Sequence, residues 1–122
     1  VRLAEIQGKS RLESARGAYI KQVFEQEGLR TSVDSIGNVT GVRKGTGGGP
    51  TIVIAAHMDV VFDRGTFEKV RRVGDTLFAP GIGDNTASVA NMLATIRAMN
   101  ATKFTHTGDL VFVATVQEEL GL

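Results

Sequence analysis

The sequence has 122 residues, 42% of them hydrophobic and 22% charged, the balance of a single soluble globular domain with one core. With 14 Lys and Arg against 13 Asp and Glu, no overall charge points to nucleic acid or to an anionic membrane surface. The absence of cysteine excludes disulfides and thiolate metal sites, no apolar run reaches transmembrane length, and Val1 opens no recognisable signal peptide, which leaves a cytoplasmic location as the default.

In chain order, Ser10 and Glu13 have the Ser-x-x-Glu spacing of a helix capping box. Leu12, Ala15, Tyr19, Ile20, Val23 and Phe24 follow with a helical rhythm, and Gly28 is the expected stop. Two short strands are predicted at Arg30–Asp34 and Asn38–Arg43, joined through Ile36-Gly37-Asn38. The glycine-rich run Gly45–Pro50 precedes a strand, whereas a phosphate loop follows one and opens a helix, so it reads as a flexible surface connection. Thr51–Ala56 is an uninterrupted apolar run, the pattern of a strand buried on both faces, and Leu110–Val116 is a second. Lys69, Arg71 and Arg72 read as a solvated hairpin or loop face. Val89, Met92, Leu93 and Ile96 mark one side of a helix from about Asn85 to Met99. Strand, helix, strand is a βαβ crossover, so the class is α/β with a right-handed connection.

The chemistry-bearing residues fall where this topology can gather them. His57 and Asp59 follow the first apolar strand, Asp84 precedes the crossover helix, and Glu118 and Glu119 follow the second strand. In open α/β sheets the ligand crevice lies outside the carboxyl ends of the strands. Residues two apart on an extended chain point the same way, so Asp59 can reach the His57 imidazole and orient it as a metal ligand. Neighbouring residues point differently, so one of Glu118 and Glu119 can bind metal while the other takes a proton from water. Each feature alone has a bland reading: Asp84 as a helix cap at a favourable dipole, the paired glutamates as loop charges. Their order and their placement at strand ends favour the site. Imidazole and carboxylate donors accept Zn, Co or Mn.

Ala55-Ala56-His57-Met58-Asp59-Val60-Val61, Gly81-Ile82-Gly83-Asp84-Asn85 and Gln117-Glu118-Glu119, with the Gly37-Asn38-Val39 turn upstream, resemble the zinc aminoacylase, carboxypeptidase and dipeptidase superfamily. That group includes glutamate carboxypeptidase, peptidase T, acetylornithine deacetylase and succinyl-diaminopimelate desuccinylase. The resemblance implies a mostly parallel mixed sheet flanked by helices, an αβα sandwich of which residues 1–122 are the N-terminal part of the catalytic domain, without the lid or dimerisation domain. It implies two zinc ions, one held by His57 and the shared Asp84, the other by Asp84 and Glu119, with the remaining ligands downstream. Asp59 becomes the partner of His57, Glu118 the general base, and the Asp84–Asn85 peptide bond cis. The implied reaction is hydrolysis of a small peptide or N-acyl amino acid, in a parent able to form a homodimer, with this chain inactive alone. Ile82 stands where many members carry Arg or Ala. The alternatives are a nucleotide-binding turn at Gly81-x-Gly83, disfavoured because Asp84 would repel a pyrophosphate, and a non-catalytic α/β binding or assembly module.

Overall fold

The structure, a computed structural model, describes residues 1–63 and 69–120. Helix α1 spans Ser14–Gln26 and turns Ile20, Val23 and Phe24 into the core. It ends where Gly28 takes φ +81°, a left-handed conformation that only glycine enters without steric cost. The predicted capping box does not form. Ser10 donates instead to Asp59 at 2.7 Å, and Glu13 accepts the N–H of Gln117 at 3.1 Å. Both side chains are nearly buried, and partners far along the chain outcompete the local cap. Leu12 and Ala15 are exposed, while Arg16 and Gly17 occupy the inward positions assigned by rhythm to apolar residues.

Strands β1 (Arg30–Val33) and β2 (Val39–Arg43) form an antiparallel hairpin. Its turn closes on Asp34 Oδ1, which accepts the N–H groups of Ile36, Gly37 and Asn38. The glycine-rich segment lies at the surface and is pinned there, Thr46 and Gly47 donating to the carbonyls of His106 and Thr107. Strand β3 covers Ile52–His57; β4 (Arg71–Val73) and β5 (Thr76–Phe78) make an exposed hairpin, with Lys69, Arg71 and Arg72 solvated as expected. Helix α2 runs over Ala87–Ala101, two residues later at each end than predicted, and β6 over Leu110–Thr115.

The main sheet has the order β1-β2-β6-β3. It is a mixed sheet flanked by helices, as expected, but among the described residues it is not mostly parallel: β3·β6 is parallel through the βαβ crossover, whereas β1·β2 and β2·β6 are antiparallel because the β1–β2 hairpin joins β6 on its other side. Leu110, Phe112 and Ala114 alternate inward along β6 and meet Ile20, Val23 and Phe24 of α1 and Val89, Met92, Leu93 and Ile96 of α2 in one core. The expectation that β3 is buried on both faces is not met. β3 is an edge strand paired with β6 alone among the described residues, and Ile52, Val53 and Ile54 are exposed, Val53 by 61%. An apolar run marks a strand suited to burial, but neighbours decide whether it is buried.

Candidate metal centre

The parallel register of β3 and β6 sets His57 opposite Thr115, so both strands leave the sheet at the same edge. His57 is the last residue of β3, and Glu118 and Glu119 lie in a short helical turn just beyond β6. The crossover into α2 passes through a π-type turn over Ile82–Thr86, which carries Asp84 to the same edge. One donor atom each from His57, Asp84 and Glu119 lies within 4.8 Å of the others. The three predicted ligands therefore converge.

Their orientation is imposed from below. His57 Nδ1 faces Asp59, 3.2 Å from its backbone carbonyl and 3.4 Å from Oδ1. Nε2 faces the opening, 3.0 Å from Asp84 Oδ1 and 3.8 Å from Glu118 Oε2. Nδ1 is thus turned toward Asp59, and Nε2 toward the Asp84 and Glu118 carboxylates, the side on which a cation would meet the ring. Asp59 is fully buried, and its carboxylate has partners other than the imidazole. Its Oδ2 accepts Ser10 Oγ and the Glu119 N–H at 3.1 Å, while Oδ1 accepts the Glu118 N–H at 3.2 Å. One carboxylate thus ties Ser10 to the glutamate turn beside the imidazole. Burial, then the neighbouring Asp84 carboxylate, push the Glu119 carboxyl above its ordinary range against the opposing pull of His57. An imidazole nitrogen and two carboxylates crowded this closely form a donor set suited to a divalent cation, whose charge would relieve that repulsion.

Backbone shape completes the arrangement. Gly81 has φ +64°, and a Cβ there would stand 2.3 Å from Val60 Cγ1. The Asp84–Asn85 peptide bond is cis, as the resemblance implied. At the glutamate turn, Gln117 has φ +62° and is tied to Glu13, while Val116 donates to Asn38 Oδ1 at 3.0 Å. Ser10, Glu13, Arg16 and Asn38 therefore support the site without having been assigned to it from the sequence. Ser10 and Glu13 did stand out, but as a cap. For Arg16 the available signal was a charge on the buried stripe of α1, one turn before Ile20. Its Nη1 donates to Met58 O at 2.8 Å and Thr86 Oγ1 at 3.3 Å, and its Nε to Ile6 O at 2.7 Å. Burial lowers its pKa to about 10 against the opposing pull of Asp59.

Beside the three donors lies an open cleft of about 350 Å³, walled by Val61, Phe62, Ala79 and Ile82 and reaching Asp84 and Glu119. Among the described residues no helix is long and apolar enough to cross a membrane.

The model of the family described as peptidase family M20/M25/M40 matches residues 53–122. Over 117 residues the chain is 31% identical to a Pyrococcus abyssi protein assigned provisionally as a LysW-lysine/LysW-ornithine hydrolase, covering 96% of this chain and 31% of that protein. It is 32% identical over 91 residues to the succinyl-diaminopimelate desuccinylase of Leptothrix cholodnii, covering 69% of this chain and 24% of the relative. The chain thus spans less than a third of the length of these curated relatives. In fold it is similar to aminopeptidase PepT from Bacillus cereus, with a TM-score of 0.86 at 24% identity over 98% of this chain and 35% of that one. It is likewise similar to human carnosine dipeptidase 1, with a TM-score of 0.83 at 18% identity over 98% of this chain and 31% of that one.

Proposed function

The chain belongs to peptidase family M20/M25/M40, and from that premise we propose that it is the N-terminal part of the catalytic domain of a metal-dependent hydrolase that cleaves peptide or N-acyl amide bonds. The observation that carries this reading is the convergence of His57, Asp84 and Glu119 donors within 4.8 Å, with Glu118 beside them. His57 and Asp84 would hold one zinc ion, and Asp84 and Glu119 a second, with cobalt or manganese as alternatives. Bound there, a divalent metal supplies Lewis-acid polarisation of the scissile carbonyl and makes water acidic enough to be deprotonated near neutral pH.

The chain's own residues do the rest. Asp59 holds the His57 ring through Nδ1 and fixes the backbone of both glutamates, so that Glu119 faces the donors and Glu118 stands apart. Glu118, half exposed, takes the proton from the attacking water and returns it to the leaving amine. The apolar wall at Val61, Phe62 and Ile82 borders the space where the substrate would lie. The names of the relatives, covering a hydrolase and a desuccinylase, favour a small N-acyl amino acid or peptide as substrate. A homodimer is compatible with this reading.

The test uses the protein expressed from its whole reading frame. Metal stoichiometry is read by chelator competition, and turnover on a panel of dipeptides and N-acyl amino acids. We expect metal-dependent hydrolysis, with Glu118→Gln lowering kcat about 10²–10⁴-fold while metal stoichiometry is retained. The chain of residues 1–122 alone offers each metal two donors where catalytic zinc sites use three, and is expected to bind weakly and turn over nothing. Full activity of Glu118→Gln, or absence of metal binding by the whole protein, would remove the reading.

A further inference from the structure

Arg16 is the largest fully buried side chain among the described residues, and nothing in the proposed chemistry uses it. A guanidinium is costly to bury, and a Met or Leu would fill this position on α1 without that cost. The two partners of Nη1 suggest why the charge is kept. Met58 O lies between His57 and Asp59 at the end of β3, and Thr86 Oγ1 lies two residues beyond Asp84. One nitrogen thus touches both chain segments that bring donors to the centre from the β3 side.

The surroundings are shaped to this guanidinium. Nε is held by Ile6 O, in the segment that leads to Gly8. A Cβ at Gly8 would lie 2.3 Å from Arg16 Cδ and 2.4 Å from Nε, so the backbone rests directly on the arginine. From there residues 8–10 run beside Val60: Val60 donates to Gly8 O, Lys9 pairs with Val60 in parallel, and Ser10 reaches Asp59. Thr86 is itself buried, and the guanidinium is the side-chain partner of its hydroxyl.

We propose that Arg16 is a positioning residue for the metal centre: by bonding Met58 O and Thr86 Oγ1 together, it sets the separation between the strand end that carries His57 and the turn that carries Asp84. The inference rests on the metal-hydrolase reading above and extends it to a residue that touches neither metal nor substrate. Lysine cannot replace the arginine, because a single ammonium lacks the planar fork that serves Ile6, Met58 and Thr86 at once.

The experiment measures zinc affinity by chelator competition and the absorption spectrum of the cobalt-loaded protein, whose bands report ligand geometry, with urea midpoints as the control for folding. Thr86→Val removes one link while keeping shape and charge, and Thr86→Ser restores it. We expect Thr86→Val to weaken metal binding and shift the cobalt spectrum, and Thr86→Ser to recover both. Arg16→Met should lower affinity by about 10–100-fold, the range for groups that orient metal ligands, and Arg16→Lys should not rescue it. Native affinity and spectrum in Thr86→Val overturn the inference, whether or not Arg16→Met folds. Failure of Thr86→Ser to recover assigns the loss to packing, and full rescue by Arg16→Lys assigns it to charge alone; either overturns it as well. Absence of metal binding by the wild-type protein would remove the underlying reading and this inference with it, whereas normal wild-type binding with indifferent variants removes the inference alone.

Discussion

Asp59→Asn perturbs the centre of the network with almost no change of shape. The carboxylate accepts Ser10 Oγ at 2.7 Å, the Glu119 N–H at 3.1 Å and the Glu118 N–H at 3.2 Å, with His57 Nδ1 3.4 Å away. Asparagine has one oxygen and one NH₂, so one of the two positions becomes a donor facing donors. Placed at Oδ1, the NH₂ strips the acceptor from Glu118 and confronts His57; placed at Oδ2, it strips Glu119, while the Ser10 hydroxyl can rotate to accept. A buried donor left without an acceptor costs about 1–3 kcal/mol. Arg16 also loses a nearby buried negative charge that opposes its desolvation, which adds to that cost. The expected loss is therefore at least about 1–3 kcal/mol, a substantial share of the roughly 5–15 kcal/mol that holds a domain together. The assay is urea unfolding of the metal-free protein, in which the midpoint should fall without a change in slope. Ser10→Ala alone should cost about 1–2 kcal/mol, and less in the Asp59→Asn background, because the bond it removes is already weakened. A loss below about 1 kcal/mol for Asp59→Asn would refute the argument that this carboxylate is the hub.

Two further outcomes test the loops that carry the site. Gly81→Ala, which meets both a positive φ and Val60, should destabilise by about 1–3 kcal/mol and weaken metal binding through Asp84, read by urea midpoint and chelator competition. The Asp34 carboxyl is held below its ordinary range by the Asn38 side chain first and then by the backbone N–H groups of the turn. A depressed folded-state pKa contributes stability that is present above the unfolded value and lost as the carboxyl protonates, so the unfolding midpoint should fall below about pH 4. Asp34→Asn should remove that increment of acid sensitivity, seen as a flatter midpoint-against-pH curve between about pH 4 and pH 2.

The sequence by itself determined which residues meet at the centre and which local elements carry them. His57, Asp59, Asp84, Glu118 and Glu119 could be placed because a two-residue alternation, a helical rhythm and a strand-helix-strand order are local patterns, and the carboxyl edge of a sheet follows from connectivity. The stop at Gly28 and the buried stripe of α2 were legible for the same reason. Tertiary structure alone decided what holds the centre in shape. The contacts Ser10–Asp59, Glu13–Gln117, Arg16–Met58 and Asn38–Val116 span 49, 104, 42 and 78 residues, distances over which no spacing rule operates. At Ser10 and Glu13 a sound local rule predicted a cap, and it failed because a buried carboxylate and the N–H of a residue at positive φ offered stronger partners. Likewise, the composition of β3 suits burial on both faces, yet whether a face is covered depends on what packs against it, and that is a property of the assembled fold rather than of the strand.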